Sequence, residues 1–301
     1  MRRTVLIYNP TAGRHRADRL VLRLETLLRR SGSSVDSQAT SGPGDGTRLA
    51  RIAVAEGVET VFACGGDGSL RECANGLLGS KTGLGFLPAG TTNVMARTLG
   101  LPSDPLAAAR VLSPSRWRPF DVGLCNDEPF LMQASAGLDA EVLGRVRTSR
   151  KRVLGRGEVA LAALSAWHSY GYPEFAVAWA GGSRCATFAA VCNIPFYAGR
   201  FRLAPTASWC DDRLDLVLFG GTSRLATLGF ARDLGLGRLH QRHDVFRQQV
   251  KEATIAATEG VELQIDGDLI VGALPATIRL AARKVRMLVP VSDHVPPTKA
   301  P

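Results

Sequence analysis

The sequence predicts an α/β N-terminal domain with a mainly parallel sheet, joined to a C-terminal β-sandwich-like domain. Three observations carry that prediction. Across the first 120 residues an apolar run, a glycine-rich or polar loop and a stretch of helical periodicity follow one another three times. Beyond about residue 120 the apolar runs shorten and turn residues punctuate them, as in a β domain. The length, 301 residues, suits two domains of roughly 150 each.

Residues 4–8 form the first strand, stopped by Asn9-Pro10-Thr11-Ala12-Gly13. Leu20, Leu24, Leu27 and Leu28 then fall at helical spacing, and Ser31-Gly32 closes that helix. A loop rich in Ser and Gly, 40–46, leads to a second helix marked by Leu49, Ile52, Ala53 and Ala55. Residues 58–63 read as a buried strand, ended by Gly65-Gly66-Asp67-Gly68. Ser69 is expected to cap the next helix, with Glu72 completing a capping box. Residues 84–87 make a third strand, followed by Pro88-Ala89-Gly90-Thr91-Thr92-Asn93 and a helix through Leu99. In the second half, strands are expected at 130–135, 175–179, 186–194, 214–219, 254–257, 261–265, 276–280 and 284–289, with helical patterns at 159–168 and 225–234. The expected domains are 1–123 and 124–291, the final strand being able to pack back on the first, and 292–301 forms a flexible tail.

Composition excludes several classes. At 45% apolar and 21% charged residues the chain is globular, neither disordered nor collagen-like. Six cysteines, at 64, 73, 125, 185, 192 and 210, are too dilute for a disulfide scaffold and contain no C-x-x-C pair, so free thiols in a reducing cytoplasm are expected. The start, Met1-Arg2-Arg3 before five residues and Asn9-Pro10, is too short an apolar stretch for a secretory leader. No run of 18 apolar residues exists to span a bilayer. The net charge of +10 comes almost wholly from Arg, and it suits phosphates and anionic membranes as well as it suits nucleic acid. With no basic motif interleaved with aromatics, no nucleic-acid partner is expected.

The chemistry concentrates in loops. Walker A, dinucleotide G-x-G-x-x-G, H-E-x-x-H, H-R-D, D-F-G and G-x-S-x-G motifs are all absent. Glycines at the carboxyl end of a parallel strand let main-chain N–H groups close on a phosphate, and the following helix adds the positive end of its dipole. Gly65-Gly66-Asp67-Gly68-Ser69 has that form. An Asp inside such a loop suits a phosphate chiefly when Mg²⁺ lies between them. Gly90-Thr91-Thr92-Asn93 and Asn9-Pro10-Thr11-Ala12-Gly13 also follow strands, and in an open α/β sheet such loops gather along one edge. Together they read as a nucleoside triphosphate site.

These residues resemble the diacylglycerol kinase catalytic-domain family of lipid kinases, which includes sphingosine kinases and soluble bacterial enzymes. The resemblance rests on Asn9-Pro10-x-x-Gly13, Thr40 with Gly44-Asp45, Gly65-Gly66-Asp67-Gly68-Ser69, Glu72 with Asn75-Gly76, and Pro88-x-Gly90-Thr91-x-Asn93. It continues through Gly137-Leu138-Asp139-Ala140, Ala204-Pro205-x-Ala207, Asp211, Leu214-Asp215 and Asp266-Gly267-Asp268. It implies a fold like that of NAD kinases and diacylglycerol kinases, and an ATP-dependent kinase acting on a hydroxyl of diacylglycerol or a related lipid, in phospholipid biosynthesis. A soluble-substrate kinase like the NAD kinases and a non-catalytic nucleotide-binding regulator are the alternatives. By resemblance, Asn9, Pro10, Thr11, Ala12, Gly13, Thr40, Gly65, Gly66, Asp67, Gly68, Ser69, Leu70, Arg71, Glu72, Gly90, Thr91 and Asn93 would contact ATP, with Asp67 serving Mg²⁺ through water. Asp266 or Asp268 would be the base, and Asp139 would face substrate. Asp211, with main-chain carbonyls of Ser208 and Arg213, would hold a structural Mg²⁺; the plainer alternative for Asp211-Asp212 is a turn before the next strand. Two departures stand out: Val94 occupies a position where several bacterial members carry Asp, and Asp268 replaces the Glu of Asp-Gly-Glu. The expected partners are the lipid and, transiently, an anionic membrane surface at the inner face, docked by Arg145, Arg147, Arg150, Lys151, Arg152 and Arg156; a homodimer is allowed.

Overall fold

The computed structural model describes residues 2–11, 17–113, 115–148, 156–256 and 258–291. The chain divides into two units: one runs to Val122 and takes back the chain from Ala282, and the other is Gly123–Ala281. Ala12, Gly13, the tail 292–301 and the expected basic side chains at 147, 150, 151, 152 and 156 lie outside what is described.

In the first unit the order is β1 (Arg2–Tyr8), α1 (Ala17–Arg30), β2 (Ser33–Ala39), α2 (Asp45–Ala55), β3 (Thr60–Gly65), α3 (Asp67–Leu77), β4 (Gly83–Pro88), α4 (Val94–Thr98), α5 (Pro105–Val111) and β5 (Ser115–Phe120). The sheet runs β2-β1-β3-β4, then the last strand Val285–Pro290, then β5. All pairs are parallel except that between Val285–Pro290 and β5. β3 and β4 are buried at every position, as strands of a parallel sheet covered on both faces must be, which is why they read as unbroken apolar runs. The register matters most for function. Tyr8 pairs with Ala39 on one side and Cys64 on the other, and Gly65 pairs with Pro88. The residues that follow (Asn9, Thr40, Gly66 and Ala89) therefore leave the sheet along one edge. α2 and α3 pack closely: a Cβ on Gly76 would lie 2.6 Å from Ala50 Cβ.

The second unit contains β6 (Gly123–Cys125), β7 (Glu128–Phe130), β8 (Gln133–Gly137), α6 (Leu138–Thr148), α7 (Arg156–Ser169), β9 (Phe175–Trp179), β10 (Gly182–Ala186), β11 (Phe188–Cys192), β12 (Phe196–Tyr197), β13 (Phe201–Arg202), β14 (Leu214–Phe219), α8 (Arg224–Gly235), β15 (Val245–Val250), β16 (Glu252–Ile255), β17 (Leu263–Ile265), β18 (Asp268–Ile270) and β19 (Ala276–Leu280). Two six-stranded antiparallel sheets, β10-β9-β16-β19-β6-β7 and β15-β14-β11-β8-β17-β18, enclose one core. Phe130, Phe175, Val191, Leu216, Ile255 and Ile278 fill it. The opposite face of the second sheet packs against α8 through Phe188, Phe219 and Leu234.

The architecture is the expected one, with local corrections. The strand β2 was not expected; its sequence, SSVDSQA, buries only alternate positions at the sheet edge and lacks an apolar run. The single strand expected over 130–135 is two, β7 and β8, because Leu131 and Met132 leave the ladder and give their N–H groups to Asp266. The capping box at Ser69 does not form. Gly66 occupies the N-cap of α3 with no side-chain cap bond, and the Glu72 carboxylate instead accepts from Gly44 N and Gly46 N at the start of α2, at 2.9 and 2.8 Å.

Candidate active site

The loops leaving β1, β3 and β4 are built by their own short-range bonds. Asn9 Oδ1 accepts from Thr11 N and Thr11 Oγ1, at 2.9 and 2.8 Å, and Asn9 N donates to Cys64 O. Thr40 N donates to Tyr8 O, so the end of β2 joins the group. Gly65 O accepts from Ala89 N and Gly90 N, which binds the second and third loops together. Glycine is required at 90, where a Cβ would stand 2.6 Å from Gly66 Cα. Asn93 takes a left-handed conformation, φ 47°, and closes its loop by bonding Gly90 through both its amide oxygen and nitrogen. Of the expected contacts, Leu70 is fully buried in the core and its N–H is taken by Gly66 O.

Asp67 is anchored rather than free. Its carboxylate accepts from Val94 N at 2.9 Å and Met95 N at 3.0 Å, which caps the short helix α4 and fixes the third loop to the second. Burial pushes its carboxyl up from the ordinary value, and the Met95 and Val94 N–H groups pull against that shift. Val94 itself is buried, so the position where relatives in the resemblance carry Asp is packed as core here.

This arrangement fits a nucleoside triphosphate with Mg²⁺. The amino end of the eleven-residue α3 has no side-chain cap, sits directly after Gly65-Gly66, and leaves its first N–H groups for an anion. Each Asp67 oxygen keeps a second lone pair, enough for a metal-bound water. No group of three His, Cys, Asp or Glu able to hold a metal occurs among the described residues, so Mg²⁺ would depend on phosphate and water for most of its ligands, which is its usual habit.

In the second unit the carboxylates of Asp266-Gly267-Asp268 have different surroundings. Ile265 pairs with Asp268, so Asp266 and Gly267 form a two-residue hairpin turn, both with positive φ (51° and 93°). That is the Asp-Gly turn whose twist matches a hairpin. The Asp266 carboxylate accepts from Leu131 N, Met132 N and Gln133 N at 2.8–2.9 Å, three main-chain donors on one group. Asp268, next along, is exposed at the start of β18. Replacing Asp266 with Ala is therefore expected to lower unfolding free energy by roughly 2–4 kcal/mol, because three donors lose a charged acceptor. Chemical denaturation of the variant checks this; a stability equal to wild type would contradict the clamp.

Asp139 lies in the first turn of α6 and is partly buried. It accepts from Ser135 Oγ, from Gln264 Nε2 at 3.2 Å, from Ala140 N at 2.8 Å and, at a long 3.5 Å, from Tyr197 Oη. Burial pushes its carboxyl up, against the Ser135 and Gln264 donors. Asp211 lies elsewhere in the unit, before β14: its Oδ1 accepts from Arg213 N at 3.2 Å and its Oδ2 is 3.5 Å from Gln249 Nε2. Sequence reasoning passed over Asp121, buried at the end of β5 and paired with Lys284 Nζ at 2.7 Å, and also Ser135 and Gln264. Asp121 and the Ser135–Gln264 pair carry no local mark, because Lys284 lies 163 residues from Asp121 and Ser135 lies 129 residues from Gln264.

Residues 3–125 match the family model of the diacylglycerol kinase catalytic domain, and residues 132–289 match that of the YegS C-terminal NAD kinase beta sandwich-like domain. A diacylglycerol kinase of Bacillus subtilis (strain 168) is 28% identical over 302 residues, spanning 96% of this chain and 97% of its own. A protein of Chromohalobacter salexigens named "Probable lipid kinase YegS-like" is 34% identical over 206 residues, 64% of this chain and 63% of its own. A crystal structure from Bacillus anthracis str. Sterne shares the fold, with a TM-score of 0.79 at 24% identity, covering 95% of this chain and 94% of that one.

Proposed function

The chain belongs to the diacylglycerol kinase catalytic-domain family, and from that premise we propose that it is an ATP-dependent lipid kinase phosphorylating a hydroxyl of diacylglycerol or a closely related lipid. The observation that carries the nucleotide half of this reading is the set of glycine and polar loops leaving adjacent parallel strands beside the uncapped start of α3. Main-chain N–H groups of residues 66–69, with Asn9, Thr11, Thr40 and the Gly90–Asn93 loop, would hold the phosphates. Asp67 would orient a Mg²⁺-bound water while keeping α4 in place. When bound, Mg-ATP supplies the phosphoryl group and screens its charge. Asp268 is the general base: it accepts the lipid hydroxyl proton as that oxygen bonds to the γ-phosphorus and the bond to ADP breaks. Asp266, held by three main-chain N–H groups, anchors the turn, and the role of base falls to Asp268. Asp211, with the Ser208 and Arg213 carbonyls, would hold a structural Mg²⁺ in this reading, Asp211 supplying the one carboxylate.

The acceptor is tested with labelled ATP offered to diacylglycerol, monoacylglycerol, a sphingoid base, phosphatidylglycerol and NAD in separate detergent-dispersed reactions. Label in a lipid supports the reading; label in NAD alone would overturn it.

A lipid acceptor also requires a visit to a bilayer, although no helix among the described residues is long and apolar enough to cross one. Two features suit a peripheral visit. The chain from Arg145 to Arg156 carries six cations and no acid, and α7 and α8 expose Leu161, Leu164, Leu225 and Leu228 at half or more of their surface. Changing Arg147, Arg150, Lys151 and Arg152 to Ser is expected to reduce sedimentation with anionic vesicles at low salt while leaving phosphorylation of detergent-dispersed lipid intact. Undiminished sedimentation would make the cluster a solvated surface only.

A further inference from the structure

Gln264 is buried on β17, and its side chain reaches in two directions. Oε1 accepts from Gly267 N at 2.7 Å, within the turn that carries Asp268. Nε2 donates to Asp139 Oδ2 at 3.2 Å and to Ser135 Oγ, and that hydroxyl donates in turn to Asp139. Gly267 fixes the amide: its main-chain N–H can only donate, so the amide oxygen must face Gly267 and the amide nitrogen faces Asp139 and Ser135. The turn is therefore gripped twice, by the Asp266 carboxylate on residues 131–133 and by the Gln264 amide on its own central N–H.

We propose that Asp139 and Gln264 form a positioning pair: the partly buried Asp139 orients the buried Gln264 amide, and that amide fixes the Gly267 N–H and thereby the direction of the Asp268 carboxylate. The proposal rests on the reading of Asp268 as the base. It gives Asp139 a role inside the protein rather than on substrate, since its acceptor sites already face Ser135, Gln264, Ala140 and Tyr197. Neither residue touches the reacting atoms. Loosening the turn would misdirect the base and slow the chemical step, while leaving ATP binding by the other unit untouched.

The test compares kcat, the KM for ATP and the melting temperature for Q264L, Q264E, D139N and the double variant D139N/Q264E, with D268N in parallel. Q264L is expected to lose roughly 10–100-fold in kcat with its KM for ATP within about twofold of wild type. Q264E loses more, because it sets two carboxylates against each other. The double variant recovers most of the rate: the amide now at 139 donates to the carboxylate at 264, which still accepts from Gly267 N. Wild-type kcat in both Q264L and Q264E, with D268N slow, overturns the positioning pair and leaves the base reading standing. A double variant that melts like wild type but stays as slow as Q264E overturns it as well. Wild-type kcat in D268N overturns the base reading and this proposal with it.

Discussion

Asp268→Asn is expected to lower kcat by roughly 10²–10⁴-fold with the KM for ATP nearly unchanged, the usual range when a general base is lost. The substitution keeps size and shape and removes only the proton acceptor. Its neighbour gives the control. Asp266→Asn touches a group that three main-chain N–H donors hold in the turn, so its effect falls on stability, and its kcat measured well below the melting temperature stays within about tenfold of wild type. Steady-state kinetics on both variants, with circular dichroism to verify the fold, decide the matter. If Asp266→Asn proves the slow variant and Asp268→Asn the active one, the assignment is reversed.

Asp67→Ala is expected to abolish measurable turnover and to destabilise the first unit by about 1–3 kcal/mol. The two effects have separate origins. Loss of the carboxylate removes the group that would orient the Mg²⁺-bound water, and removing one such electrostatic group costs on the order of 10²–10³ in rate by itself. The Val94 and Met95 N–H groups also lose their acceptor, so α4 and the Gly90–Asn93 loop loosen, which adds to the rate loss. Asp67→Asn separates the effects, since an amide oxygen still accepts from one of the two donors: it should regain part of the stability and little of the rate. Melting curves and ATP-dependent turnover of the three proteins check this, and near-normal activity in either variant contradicts the role given to Asp67.

Much of the architecture was legible because the relevant signals are local. Unbroken apolar runs in β3 and β4 announce strands buried on both faces, and the glycines that end them announce loops close to other backbone. The β2 strand was not legible, because an edge strand with three serines in seven residues has no apolar run to read. The break between β7 and β8 is imposed by Asp266, whose place over 130 residues along the chain no window of local sequence contains. The Asp266-Gly267 turn did carry a local signal that went unread: an Asp-Gly pair between Ile265 and Leu269 is a strong hairpin mark. Read as a hairpin, it would have given Asp266 to the turn. The three donors on its carboxylate lie at residues 131–133, outside any local window, and are what favours Asp268 over Asp266 in the proposed reading.

Helix capping shows the same limit. Ser69 and Glu72 stand at capping-box spacing, yet Glu72 turns to Gly44 and Gly46 at the start of α2. The result suits the proposed site, because the amino end of α3 keeps its N–H groups free of a side-chain cap. A local rule fails where the proposed function would compete with local preference.

The measurement that bears most directly on the whole account is the stoichiometry of coupling in the wild-type protein: ATP consumed against lipid phosphate formed, with diacylglycerol dispersed in detergent and Mg²⁺ present. The account predicts one phosphorylated lipid for each ATP converted to ADP, with no turnover when lipid is omitted. ATP consumed without lipid phosphate, or ATP bound and never turned over in the presence of the whole lipid panel, would contradict it.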